Sequence, residues 1–596
     1  MSLLPEIRQA GIQAIEALFH HKLEAEDLPV NDTKPEFEGH YTLVMFPLKK
    51  YSGLNPMETG KLIGDWLVEH YPLMIEKYSL VKGFLNLSVT DRYCLSFLGN
   101  RFGTAPKPPT GNVPRSRVMV EYSSPNTNKP LHLGHLRNNF LGYAISRILE
   151  AAGNEVIKTN LVNDRGIHIC KSMVAWLHFG KGITPAEAGV KGDHLVGDFY
   201  VKFNDAYKQE VAALTASGME KAQAEKEAPL LQEAQQMLLR WEKGDLEVRA
   251  LWEKMNGWVY AGFDETYHRM GVSFDRYYYE SETYLLGKHL VEEGVAEGVF
   301  KARPDGSVWA DLGGDGLDEK LLLRADGTSV YMTQDLGTAQ LKYDDYRVDR
   351  SIYVIGDEQN YHMQVLKLLL ERLGKPYADG IAHLSYGMVE LPGGRMKSRE
   401  GTVVDADDLM DEMIATAEQH TRELGKVNDF SPSELTDLYA VLGLGAMKFY
   451  LLRVNPKKKM VFNPEESIDF HGFTGPFVQY THARIKSILR REDSLSAPAP
   501  ELSVTSALHP LEKALLLQLE KYDQALSDAA TALDPSVLAG YAYQLAKLFN
   551  SFYVELSVTK AETPEKKALR LRLSAATAEV IAHSMGLLGI RVPDRM

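Results

Sequence analysis

The sequence predicts an α/β protein whose central parallel-sheet domain lies between a small α+β unit and an all-α helix bundle. Three observations predict it. Residues 117–161 read as strand, polar loop, long helix and strand, the opening of a parallel sheet. A Pro-rich stretch, 105–114, sets that run apart from what precedes it, and from about residue 431 strand patterning gives way to helical periodicity. With 596 residues the chain exceeds one compact core, so three or four domains are expected.

The N-terminal unit is placed at 1–110, where a helical stretch over residues 5–24 leads to alternating segments at 40–47 and 83–89. The central domain is placed at 111–430. Its first strand, 117–122, runs into a polar loop and then a helix in which Leu136, Phe140, Ala144 and Ile148 recur every four residues, with Gly153 as its stop. Further strands are expected at 155–161, 351–355 and 381–389. Residues 185–260, charged and rich in Ala, Glu, Gln and Lys, interrupt the pattern as a helical insertion. The bundle is placed at 431–596, with helical spacing plain over 511–526 and 541–553.

Composition narrows the function classes. A hydrophobic fraction of 44% and a charged fraction of 24% are ordinary for a globular protein. The chain has no run of 18 uncharged apolar residues and no basic-then-apolar start, so neither a membrane partner nor a secretory leader is expected. Its two cysteines, Cys94 and Cys170, lie far apart, which excludes a disulfide framework and a cysteine zinc site and suits the cytoplasm. The net charge of −14 speaks against a polyanionic partner. Residues 431–596, however, hold 19 Lys+Arg against 18 Asp+Glu, a balance of +1 that leaves −15 for the rest, and a local basic face suffices for binding.

The informative segment runs from Glu121 through Ser–Ser–Pro–Asn126–Thr–Asn–Lys129–Pro–Leu to His132–Leu–Gly134–His135. The two histidines open the long helix, where backbone N–H groups and the helix dipole attract anions such as a triphosphate. Gly134 leaves room for a nucleotide near the backbone. Lys129 and Arg137 add positive charge on either side. Two histidines three apart are more often surface or capping residues, and a zinc reading lacks a third ligand. The strand, loop and helix context favours the nucleotide reading.

In that context His132–Leu–Gly–His135 resembles the HIGH signature of class I aminoacyl-tRNA synthetases, and the longer string from Glu121 to Arg137 is similar to the arginyl members. The second class I signature, KMSKS, resembles Arg395–Met396–Lys397–Ser398–Arg399, with Ser398 standing where the family has its second lysine. The resemblance implies a Rossmann-like catalytic domain. ATP would be held by His132, Gly134, His135, Met388, Val389, Met396 and Ser398. His132 and His135, with Lys129, Lys397 and Arg399, would serve catalysis, and Lys129 would compensate for Ser398. Mg²⁺ would accompany ATP.

Arginine recognition calls for carboxylates that meet a guanidinium in charge-assisted, bidentate pairs. By resemblance, Glu121 and Asp335 would hold the guanidinium, and Asn126, Tyr331 and Gln359 would hold the amino and carboxylate groups, with His132 alongside. Tyr331 and Asp335 stand four apart and would share a helix face. Acids that expect several N–H donors reject lysine, so no proofreading domain is required.

The segment Gly475 to Arg484 and the last ten residues are similar to the family's anticodon-binding domain, which implies tRNA(Arg) as a partner. Arg484, Tyr541 and Asn550 are the expected tRNA contacts there, although an aromatic stripe at helical spacing is more often core. The N-terminal unit resembles the family's extra domain that touches the outer corner of tRNA. The implied activity is an arginine–tRNA ligase working as a monomer. Two other readings remain at this stage: another class I nucleotidyl-transfer enzyme and a non-catalytic RNA-binding paralogue.

Overall fold

The computed structural model describes residues 3–101, 116–392, 404–423, 429–492 and 507–596. The Pro-rich stretch and the segment with Met396, Lys397, Ser398 and Arg399 lie outside the described residues.

The N-terminal unit is an antiparallel sheet of β1 (Val30–Asp32), β2 (Tyr41–Val44), β3 (Ile75–Val81) and β4 (Phe84–Val89), ordered β1-β2-β4-β3. Helices Leu3–Phe19 and Pro56–His70 cover one face with Ile7, Ala10, Ile15, Ile63 and Leu67, all buried. The two expected strands are present. β1 and β3 were not anticipated, because β3 buries only Ile75 fully and so lacks clear alternation.

The central domain carries a five-stranded, all-parallel sheet. The chain lays down β5 (Arg117–Glu121), β6 (Glu155–Val162) and β7 (Arg276–Tyr279) outward in one direction. After a small antiparallel sheet of β8 (Lys301–Ala302), β9 (Val308–Ala310) and β10 (Lys320–Leu323), it returns to add β11 (Arg350–Gly356) and β12 (Ile381–Tyr386) on the other side of β5. The order β12-β11-β5-β6-β7 therefore reverses between β5 and β11. Loops splay apart at such a switch point, and ligands bind there. The expected strand 381–389 ends at Tyr386. The chain then forms β13 (Val389–Glu390), paired in parallel with β14 (Met460–Val461), a short strand beyond residue 431. β7 escaped the sequence reading because a four-residue edge strand with three tyrosines shows no apolar–polar alternation.

The helix Leu133–Ala151 packs against β5 and β6 with Leu136, Phe140, Leu141, Ala144 and Ile148 buried. Gly142 permits the closest approach: a Cβ there would lie 2.2 Å from Cγ of Tyr122. The insertion forms helices Gly192–Ala216, Lys221–Glu227, Pro229–Glu242 and Leu246–Met270, which pack with Ile167–Phe179 around Phe203 and Trp241.

The C-terminal bundle comprises Pro432–Leu452, Gly475–Arg491, Pro510–Glu520, Tyr522–Ala532, Pro535–Glu555 and Pro564–Leu587. All but Tyr522–Ala532 have Pro in the first turn behind a Ser, Thr, His or Asp cap, where a missing N–H costs nothing. Pro432–Leu452 is long and apolar enough to cross a bilayer by length and composition. It packs instead against Ala406–Glu423, Leu133–Ala151 and Gly475–Arg491, with Leu442, Ala446 and Phe449 fully buried. The N-terminal unit rests on this bundle: the Tyr41 hydroxyl donates to Glu520 Oε2 at 3.1 Å, and Lys521 pairs with Asp32 at 2.7 Å.

Candidate active site

The tetrad sits at the sheet's switch point, after β5. His132 is the N-cap of Leu133–Ala151: its Nδ1 accepts the Gly134 N–H at 3.1 Å, and Nδ1 of His135 accepts the His132 N–H at 3.1 Å. This is a capping box in which both side-chain acceptors are imidazoles. Because each Nδ1 accepts, each ring carries its proton on Nε2, which leaves two N–H donors at a helix N-terminus. Burial pushes His132 down to about 3, and the Lys129 ammonium adds to the shift. His135 is also held well below its ordinary value, by burial, then His132 and Lys129. Both rings are neutral donors at physiological pH. At Gly134, where room for a nucleotide was expected, a Cβ would first meet the His132 ring, at 3.0 Å.

The loop ahead of the tetrad is held in an uncommon shape. Ser123 and Ser124 have φ of 76° and 45°, a left-handed conformation that costs about 1 kcal/mol or more for residues other than glycine. Side-chain amides hold it there. Asn138 Oδ1 accepts the Ser123 N–H at 2.5 Å, and Asn160 Oδ1 accepts that of Ser124 at 3.1 Å. Asn138 Nδ2 also donates to the Val354 carbonyl at 2.7 Å, so one side chain ties the β5 loop to β11. Asn126 extends the β5–β6 ladder by bridging Asn163. Arg137 corrects the sequence reading. It is fully buried and donates to the carbonyls of Gly387, Met388, Pro456 and Lys458, so its charge serves the β13–β14 crossing and not a phosphate.

The acids gather on the same edge. Glu121, at the end of β5, pairs with Lys342 at 2.5 Å, and both side chains are buried. Lys342 lies two turns beyond Asp335 on the helix Tyr331–Tyr346. Burial opposes its charge, but Glu121, Tyr353 and Asp335 together hold its pKa above the ordinary lysine value. Glu121, expected by resemblance to hold the guanidinium, is thus already paired with a cation of its own chain. Asp335 is half-exposed and accepts from His362 Nε2 at 2.5 Å. Tyr331 stands exposed one turn earlier on that helix, and Gln359 is exposed in the turn Asp357–Gln359 after β11.

Two residues that the sequence reading missed complete this edge. His362 orients Asp335. Glu280, which follows β7, is pushed up to about 7 by burial; Arg165 pulls it down, while Asp335 and Asp164 push it further up. No periodicity marks Glu280, and its neighbour strand was itself not anticipated.

Residues 110–463 match the family model described as tRNA synthetases class I (R), catalytic domain, and residues 478–596 match the DALR anticodon binding domain. The chain is 52% identical to the arginine–tRNA ligase of Parabacteroides distasonis over the full length of both. It is 53% identical to that of Amoebophilus asiaticus over 99% of each. The chain belongs to the arginyl-tRNA synthetases. The solved structure of the Thermus thermophilus arginyl-tRNA synthetase superposes over the whole of both chains with a TM-score of 0.80 at 26% identity.

The arginyl-tRNA synthetase catalytic match extends to 463, past the boundary placed at 430, and the β13–β14 pairing is the physical tie across it. Val389 is buried in that pairing, and Met388 is exposed beside it. In the anticodon-binding bundle, Arg484 donates to Asn550 Oδ1 at 2.6 Å and lies over Tyr480 and Tyr553, which brings two of the three expected tRNA contacts together. Tyr541 does not join them. Its ring is buried and its hydroxyl donates to the Gln518 carbonyl at 2.8 Å, so it is a core residue with no face to offer a base.

Proposed function

We infer that this chain is an arginine–tRNA ligase that activates L-arginine with ATP and passes it to the 3′ end of tRNA(Arg). The observation that carries this reading is the paired-imidazole cap on the helix after β5, in a chain 52% identical over its full length to an arginine–tRNA ligase. Asp335, oriented by His362, and Glu280 hold the guanidinium. Glu121 acts through Lys342, which it keeps charged beside Asp335. Asn126, Tyr331 and Gln359 hold the α-amino and carboxylate groups. A lysine substrate would leave acceptors unmatched in such a pocket.

A carboxylate oxygen of arginine attacks the α-phosphorus of ATP in line. The Pα–O bond to pyrophosphate breaks, which leaves arginyl-adenylate. The Nε2–H groups of His132 and His135 donate to phosphate oxygens as charge moves, and Gly134 lets them come close. Lys129 supplies the fixed cation, with Lys397 and Arg399 meeting the leaving pyrophosphate and Met388, Val389, Met396 and Ser398 along the nucleotide. Mg²⁺ enters as the counter-ion of ATP, part of the substrate. A ribose hydroxyl of tRNA then attacks the adenylate carbonyl, loses its proton to solvent and expels AMP.

Arg484 and Asn550 contact the anticodon region, next to the rings of Tyr480 and Tyr553. The N-terminal unit offers the exposed pair Phe46 and Phe84, 5.5 Å apart, near Lys49, Lys50 and Lys82 for the outer corner of tRNA. The working form in this reading is a monomer in the cytoplasm, the compartment suited by two buried cysteines that form no disulfide. ATP–pyrophosphate exchange, run with each amino acid and with or without tRNA, tests the assignment. Exchange that depends on another amino acid and not on arginine would overturn it.

A further inference from the structure

The insertion makes an ionic knot with the chain just after residue 403. Lys191, at the start of the helix Gly192–Ala216, places Nζ 2.5 Å from Oδ2 of Asp407 and 2.6 Å from Oγ1 of Thr266. Arg269, at the end of Leu246–Met270, donates to Oδ1 of Asp407 at 2.7 Å. His194 Nε2 lies 3.5 Å from both Asp405 and Asp407. Asp407 is buried. Burial alone would raise its pKa, but His194, Lys191 and Arg269 hold it well below the usual carboxylate range. Asp193 is wholly buried beneath the knot, in space that exists because position 262 is glycine: a Cβ there would lie 2.1 Å from its Oδ1.

The other side of the same segment grips the tetrad. The Leu133 N–H donates to the Val404 carbonyl at 3.2 Å, the Ala406 N–H donates to the Leu131 carbonyl at 3.0 Å, and His132 forms a bridge with Asp405. Asp405 in turn caps the Asp407 N–H at 2.7 Å. Residues 404–407 are thus clamped between the His132 backbone and two insertion cations. Asp193, His194 and Asp407 could offer a metal ion ligand atoms within 4.8 Å of one another. Lys191 and Arg269 already supply the positive charge there, which makes the cluster a tether.

We propose that Lys191 and Asp407 are positioning residues for ATP, and that the insertion works by pressing residues 404–407 onto the His132–His135 turn. The inference rests on the assignment of that turn to ATP. Lys191 can be removed without stranding Asp407, which keeps Arg269 and His194. Lys191→Met is expected to lower the rate of adenylate formation or raise the KM for ATP by about tenfold to a hundredfold, the usual consequence of a small misplacement. The KM for arginine should stay within about twofold, and Lys191→Arg should recover most of the loss by restoring the charge. Asp407→Asn should show the same split more strongly.

Equilibrium binding of a non-hydrolysable ATP analogue, measured beside the thermal midpoint, keeps the test independent of amino-acid identity. If wild type binds the analogue but exchanges with another amino acid, the functional reading fails and the positioning inference still stands. A folded Lys191→Met with unchanged ATP binding and rate, or with equal losses for ATP and arginine, overturns the inference. Should Asp407→Asn fail to fold, Lys191→Met and Lys191→Arg still decide it.

Discussion

Glu121 Oε2 and Lys342 Nζ lie 2.5 Å apart, and both side chains are buried. The pair joins the end of the central strand β5 to the helix that carries Asp335. Removing one partner leaves an uncompensated buried charge, which costs about 3–5 kcal/mol, whereas removing both costs far less. Lys342→Met should therefore lower the denaturant midpoint sharply, and Lys342→Met combined with Glu121→Gln should regain most of it. A double variant no more stable than Lys342→Met would show that the pair is not the source of the loss.

Asp335 owes its orientation to His362, and a guanidinium is the group that would use both of its oxygens. Asp335→Asn keeps the shape and removes the charge. It should reduce kcat/KM for arginine by about a hundredfold or more while ATP binding changes little. Equal losses for the two substrates would discredit its part in specificity.

The role proposed for Glu280 predicts a pH dependence of arginine binding, with its sign set by the raised carboxyl. With its carboxyl near 7 in the arginine-free protein, it is protonated below that pH and must ionise to pair with a guanidinium. Arginine affinity should fall by up to about tenfold per pH unit below 7 and level off above it, with proton release on binding in that window. Isothermal titration from about pH 6 to 8, in buffers of different ionisation enthalpy, reads both. Glu280→Gln should bind weakly throughout and flatten the profile; a profile with the same slope would place the titrating group elsewhere.

The imidazole cap separates folding from chemistry at one position. Asparagine is a good N-cap, so His132→Asn should keep most of the cap, worth about 1 kcal/mol, that His132→Ala loses. Both variants lack the Nε2 donor and should slow adenylate formation by about 10²–10³-fold. The folded pKa of His132 lies below its ordinary 6.5, near 3. Its contribution to stability is complete above about 6.5 and drains as pH falls towards 3. Rapid-quench rates and thermal midpoints across that range check both halves.

The helix cap was legible because it is encoded in consecutive residues: a polar loop after a strand, then His132 and His135 at the start of an apolar helical pattern. Asn126, Tyr331 and Asp335 came from the resemblance to the arginyl family and not from any local rule. Tyr541, placed by helical spacing, and Arg137, placed by its position beside the tetrad, both misled because burial decides what a side chain meets. Tyr541 turned into the bundle core, and Arg137 into four backbone carbonyls.

By itself, the sequence determined the fold class and the cap that opens the long helix, since each depends on the order of residues along adjacent elements, and its motifs along nearly the whole chain pointed to the family. Only the tertiary structure decided which partner each acid has within the chain. Glu121 and Glu280 are both acids at strand ends. Coulombic matching across long separations in the chain gave one of them a buried lysine and left the other beside Asp335 with its charge suppressed.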